Sequence, residues 1–116
     1  MNIGLYILSS PFLNENNSFK FGMSMRLHER WYDYYDHFID AHYIYIFKIK
    51  NLIRDGEIKF LEQIILERTK VYRKKGLGNE FRDSNSISID NFYHICIEVL
   101  DMYVEYDTTK DPVFSK

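Results

Sequence analysis

Asn2-Ile3-Gly4-Leu5-Tyr6-Ile7-Leu8, followed ten residues later by Phe19-Lys20-Phe21-Gly22-Met23, is the part of the chain that decides the fold. In the first stretch Ile3, Leu5 and Ile7 point to one side and Gly4, Tyr6 and Leu8 to the other, the period of a strand. In the second, Phe19, Phe21 and Met23 oppose Lys20 and Gly22. Residues 9–18 between them hold Pro11 and the run Asn14-Glu15-Asn16-Asn17-Ser18, which is loop and turn chemistry. The two stretches read as a β-hairpin. Paired in the direct sense, it sets the Tyr6 phenol and the Lys20 ammonium on one face, and a slip of one residue separates them.

Outward from the hairpin, Ser24 is an N-cap candidate for a helix running to about residue 38. Leu27, Trp31, Tyr34 and Phe38 form its apolar stripe, and Arg30 borders that stripe. Residues 41–50, rich in aromatic and β-branched side chains, read as a third strand. A second helix spans about 55–75 with Ile58, Leu61, Ile65, Thr69 and Tyr72 inward and Lys59, Gln63, Glu67, Lys70 and Lys74 outward. Glu62 fits neither stripe and lies on the flank of the inward one. Gly76 and Gly78 end that helix. Residues 79–88 read as a connection, 89–106 as a third helix and 107–116 as a loose polar tail. The expected fold is α/β (α+β): one domain over residues 1–106, a small three-stranded, mostly antiparallel sheet flanked by helices, in the order β-β-α-β-α-α.

Bulk properties narrow the function classes. A chain of 116 residues with 46% hydrophobic content supports one modest core. A net charge of −2 argues against a generic nucleic-acid-coating surface but leaves room for a local basic patch. No apolar run reaches the roughly 20 residues that span a bilayer, so no membrane association is expected. Cys96 is the single cysteine, which excludes an internal disulfide and fits an intracellular, reducing compartment. The histidines His28, His37, His42 and His94 show no zinc spacing.

The groups singled out so far suit one chemistry. Tyr6 offers a base or an orienting hydroxyl, Lys20 and Arg30 offer positive charge for a phosphate, and Glu62 offers a hard anion for a divalent cation. Cutting a phosphodiester needs those parts.

Gly4-Leu5-Tyr6, Lys20-Phe21-Gly22, Arg30-Trp31 and Glu62, in this order, resemble the GIY-YIG nuclease domain over residues 2–81. The resemblance is nearest to the phage and viral branch, where the second motif reads KIG. Gly78-Asn79-Glu80-Phe81 is similar to an element that follows the glutamate helix there. The resemblance implies a metal-dependent endonuclease acting on DNA with Mg²⁺ or Mn²⁺. It implies Tyr6, Lys20, Arg30 and Glu62 as catalytic residues, Glu62 as metal ligand with Glu80 its rival, and Asn79 as the match to the family's trailing asparagine. A separate or fused DNA-recognition module is a further implied partner.

Each group also has a plainer reading. A free phenol has a pKa near 10, so Tyr6 needs cationic neighbours, and Lys20 is expected to lower it or to touch phosphate. Otherwise Tyr6 is a strand tyrosine with a satisfied hydroxyl and Lys20 a solvated lysine. Arg30 clamps a phosphate or pairs with Asp33. Glu62 holds a metal or forms a salt bridge. Gly4 and Gly22 let strands or substrate approach closely, and His28 borders the cleft or is structural. Lys70, Arg73 and Lys74 steer a nucleic-acid backbone or complement a helix C-terminus. The alternatives to a nuclease are a catalytically silent nucleic-acid-binding module and a protein-interaction domain.

Overall fold

The computed structural model describes residues 3–51 and 55–114. The hairpin forms as the alternation requires. Strand β1 (Gly4–Ser9) runs antiparallel to β2 (Ser18–Ser24) with Tyr6 opposite Gly22 and Leu8 opposite Lys20. Paired residues share a face of a sheet, so Tyr6 and Lys20 lie on the same side. All six residues of β1 are buried, which marks it as the centre of a sheet covered on both faces.

That sheet has five antiparallel strands among the described residues, in the order β4-β2-β1-β3-β5. Strand β3 spans His42–Ile49, β4 Phe81–Asp83 and β5 Tyr106–Lys110. One face carries Leu5, Ile7, Phe19, Phe21 and Phe47 and packs on helices α3 (Asp55–Arg68) and α4 (Ile89–Tyr103). The other face carries Tyr6, Leu8, Tyr43 and Ile46 and packs on α1 (Pro11–Glu15) and α2 (Leu27–His37). The β1–β3 register shifts between Ile7 and Leu8, so Tyr45 joins the first core and Tyr43 the second. Such an irregularity resets a period-2 pattern.

The α+β class stands, while the strand count and order are corrected. Strand β4 is three residues long inside the segment expected to be a plain connection. Strand β5 is exposed over most of its length and lacks an apolar face. It begins where the last helix was expected to end and a loose tail to begin. Beyond it Phe114 packs on His28, Trp31 and Tyr43, so this end of the chain is held. The expected loop between the hairpin strands holds α1, with Pro11 in its first turn and the Ser10 hydroxyl accepting the Leu13 N–H at 3.1 Å. Helix α2 starts at Leu27, not after a Ser24 cap, because Ser24 belongs to β2 and its hydroxyl accepts the Arg26 N–H instead.

Helix α3 stops at Arg68, short of the expected residue 75. The hydroxyl of buried Thr69 turns back to the Ile65 carbonyl at 2.7 Å, and the Arg82 guanidinium takes the Leu66 carbonyl at 3.0 Å. The Ile65 carbonyl also accepts the Thr69 N–H at 3.1 Å, and Arg82 satisfies at Leu66 a carbonyl that a further turn would have used. A 3-10 turn, Lys70–Tyr72, follows. No helix among the described residues is long and apolar enough to cross a membrane.

Candidate functional site

Tyr6 projects from central β1 over Gly22 of the neighbouring strand. A Cβ on Gly22 would lie 2.6 Å from the Tyr6 Cζ, so the ring occupies the space that a side chain would fill. The Tyr6 hydroxyl bonds to the Tyr34 hydroxyl at 2.5 Å, and its ring packs on Tyr43 at 4.9 Å between centroids. Only 2% of Tyr6 is exposed. Burial pushes its pKa well above the ordinary phenol value, reinforced by the charge and hydrogen bond of Tyr34 and by Tyr43. The cation that opposes this is Arg30, not Lys20 as expected, and it does not prevail. Tyr6 is a neutral phenol here.

Lys20 lies on the same face but works elsewhere. Its Nζ is 2.6 Å from Oε2 of Glu80 and 5.1 Å from the ring centres of both Tyr34 and Phe81. Burial pulls its pKa down, but the Glu80 hydrogen bond, the neighbouring Tyr34 and the Glu80 charge leave it raised overall. The ammonium therefore stays charged at neutral pH.

Tyr34 is the meeting point that sequence reading missed. It lies four residues after Arg30, so both sit on one face of α2. The Arg30 guanidinium is 6.0 Å from the Tyr34 ring centre and the Tyr6 hydroxyl is bonded to the Tyr34 hydroxyl. Arg30 is exposed and opens onto a hollow of about 480 Å³ lined also by Met25, Arg26 and Lys59.

Glu62 reaches this cluster from α3. It is half-buried, its carboxylate is turned to the Met23 backbone on β2, and it feels the charges of Glu80, Lys20 and Lys59. Strand β4 pairs β2 over residues 18–20, the Glu80 carbonyl takes the Phe21 N–H, and Glu62 meets the β2 edge beyond them at Met23. Burial raises the Glu62 pKa, like-charged Glu80 raises it further, and Lys20, the Met23 backbone and Lys59 oppose. Among the described residues it has no ion-pair partner within 4 Å. A second hollow, of about 850 Å³, lies beside it, with Lys70, Asn79 and Glu80 in its wall.

The donor set fits a hydrated hard cation. Mg²⁺ commonly takes one or two carboxylates and fills its shell with water and phosphate oxygens. Among the described residues there is no group of three or more His, Cys, Asp or Glu that could hold a metal ion.

The remaining candidates divide. Gly4 is a packing residue, since a Cβ there would meet the Phe47 backbone of β3. His28 is stacked on Phe114 at 5.0 Å and near Trp31, turned from Arg30 by about 200° around the helix. Lys70 is paired with Glu67 at 2.7 Å on the surface. Arg73 and Lys74 line neither hollow; their backbones engage Arg82 and Phe81. Of the basic run, Lys70 opens the 3-10 turn that follows α3, while Arg73 and Lys74 lie in the segment beside β4.

Arg82 is the other residue that sequence reading missed. It is fully buried and donates to Thr69 Oγ1, to the carbonyls of Asn79 and Phe81, and to Leu66 at the end of α3. Its guanidinium meets carbonyl and hydroxyl oxygens, and partial negative charge at a helix C-terminus suits it. In comparisons with known proteins, no family model, no curated protein and no solved structure matches this chain.

Proposed function

We propose that this chain is a divalent-metal-dependent endonuclease of the GIY-YIG type that hydrolyses DNA phosphodiester bonds. The observation that carries the reading is the grouping of Tyr6, Lys20, Tyr34, Arg30 and Glu62 around the Gly22 end of β2, from four separate elements.

Each side chain has a task in that chemistry. Lys20 and Arg30 bring positive charge to a phosphate, and Arg30 neutralises the charge that grows on its oxygens in the transition state. Tyr34 is half-buried, and buried Tyr6 fixes its hydroxyl through the hydroxyl pair. Together they orient the attacking water, a contribution of positioning and not of a preformed phenolate. Glu62 would hold a Mg²⁺ or Mn²⁺ ion, which when bound stabilises charge on the departing oxygen. The net charge of −2 supports recognition of DNA through a separate or fused module more than through broad electrostatic capture. The single cysteine, Cys96, is a free thiol, in keeping with a reducing compartment.

The deep burial of Tyr6 favours a second reading, a nucleic-acid-binding module that does not cut. Nicking of supercoiled plasmid in Mg²⁺ or Mn²⁺ separates the two. The nuclease reading expects metal-dependent nicks that Glu62→Gln and Arg30→Ala abolish without unfolding the protein. Plasmid binding with no nicks at any metal concentration supports the silent module.

A further inference from the structure

The loop that carries Glu80 is fastened at Asn79, Glu80 and Phe81. The Glu80 carbonyl accepts the Phe21 N–H at 2.9 Å, tying the loop to β2. The carbonyls on either side, Asn79 and Phe81, accept from the Arg82 guanidinium at 2.6 and 3.1 Å. Arg82 in turn holds Thr69 and Leu66, each at 3.0 Å, at the end of the helix that bears Glu62. The Glu80 carboxylate is therefore presented from a fixed backbone, and it is committed to Lys20 at 2.6 Å.

An ammonium has three N–H donors and no acceptor. On Lys20 one donor goes to Glu80 and a second is within reach of the Tyr34 hydroxyl. The third has no protein partner among the described residues. The Lys20 side chain is 12% exposed, so its remaining donor keeps a narrow opening to solvent. The ionisable groups facing Lys20 are Glu80 from the loop, Tyr34 from α2 and Glu62 from α3.

We propose that Glu80 is a positioning residue, which anchors Lys20 against Tyr34 and aims its remaining N–H at a substrate phosphate oxygen, and that it is not a metal ligand. The proposal rests on the nuclease reading for the identity of the substrate, but the anchoring itself does not.

The test compares wild type with Glu80→Gln, Glu80→Asp and Glu62→Gln by three measurements. The first follows the Lys20 side-chain ¹³Cε signal by NMR as pH is raised. Anchoring predicts an earlier midpoint in Glu80→Gln and recovery in Glu80→Asp; an unmoved midpoint in Glu80→Gln overturns the proposal. The second measures Mn²⁺ binding by electron paramagnetic resonance without DNA. Glu62→Gln should lose about tenfold or more in affinity and Glu80→Gln far less; equal losses overturn the proposal, because they make Glu80 a ligand. The third is plasmid nicking at saturating metal. Glu80→Gln should lower kcat about 100-fold with little change in KM, with partial rescue in Glu80→Asp. An unchanged kcat overturns the proposal. Failure of the wild-type protein to nick refutes the nuclease reading alone, and the NMR titration then decides the anchoring.

Discussion

Tyr6 and Gly22 are a matched pair: the ring of one fills the side-chain space of the other, and neither is interchangeable. Gly22→Ala forces a methyl into the Tyr6 phenol, with 2.6 Å to Cζ. The expected loss is about 1–3 kcal/mol of unfolding free energy, measured by urea denaturation, and Tyr6→Phe should not restore it because the clash is with the ring as well as the hydroxyl. Glu62 makes the opposite prediction. Its folded pKa lies above the ordinary 4.5, so at neutral pH its ionised form is worse placed in the folded protein than in the unfolded chain. That deficit disappears as pH falls through the folded pKa, where the carboxyl takes up a proton. Glu62→Gln removes the deficit, so its melting temperature at pH 7 should equal or exceed that of wild type, and the gap should close on acidification toward the carboxylate range. A lower melting temperature at neutral pH would mean that the carboxylate is there for stability.

At the scale of elements, the hairpin was legible because its alternation is unbroken and one partner strand is central. Ile3, Leu5 and Ile7 against Tyr6 and Leu8 allow a single register with both faces buried. Strands β4 and β5 were not legible. The first is three residues long, and the second is an exposed Tyr-Asp-Thr-Thr-Lys edge whose pairing comes from β3. Tyr34 was hidden among ten tyrosines on an apolar stripe; its place four residues after Arg30 was the available signal. Arg82 was hidden because its burial is created by the end of α3, which local sequence does not announce. Arg82→Met leaves the Leu66 and Asn79 carbonyls without their donor and should cost about 2–4 kcal/mol, read as a lower urea midpoint. Removing residues 106–116 strips β5 from β3 and exposes a long apolar edge. The truncated protein should melt earlier and elute earlier in size-exclusion chromatography than the full chain, while an unchanged melting temperature and elution would show that β5 is dispensable.

For the whole molecule, a central strand with both faces covered leaves few places where polar groups can gather, and the open end of the β2 edge is one of them. Helix α2 delivers Arg30 and Tyr34 to it from one side of the sheet and α3 delivers Glu62 from the other. The central claim of the proposed function is that a divalent ion binds at Glu62, near Lys20, Glu80 and Tyr34. Adding substoichiometric Mn²⁺ to isotope-labelled protein and mapping paramagnetic line broadening tests it directly. The account predicts broadening centred on residues 20–23, 62 and 80 and reaching the Tyr34 ring, all lost in Glu62→Gln; broadening elsewhere on the surface, or the same pattern in Glu62→Gln, would contradict it.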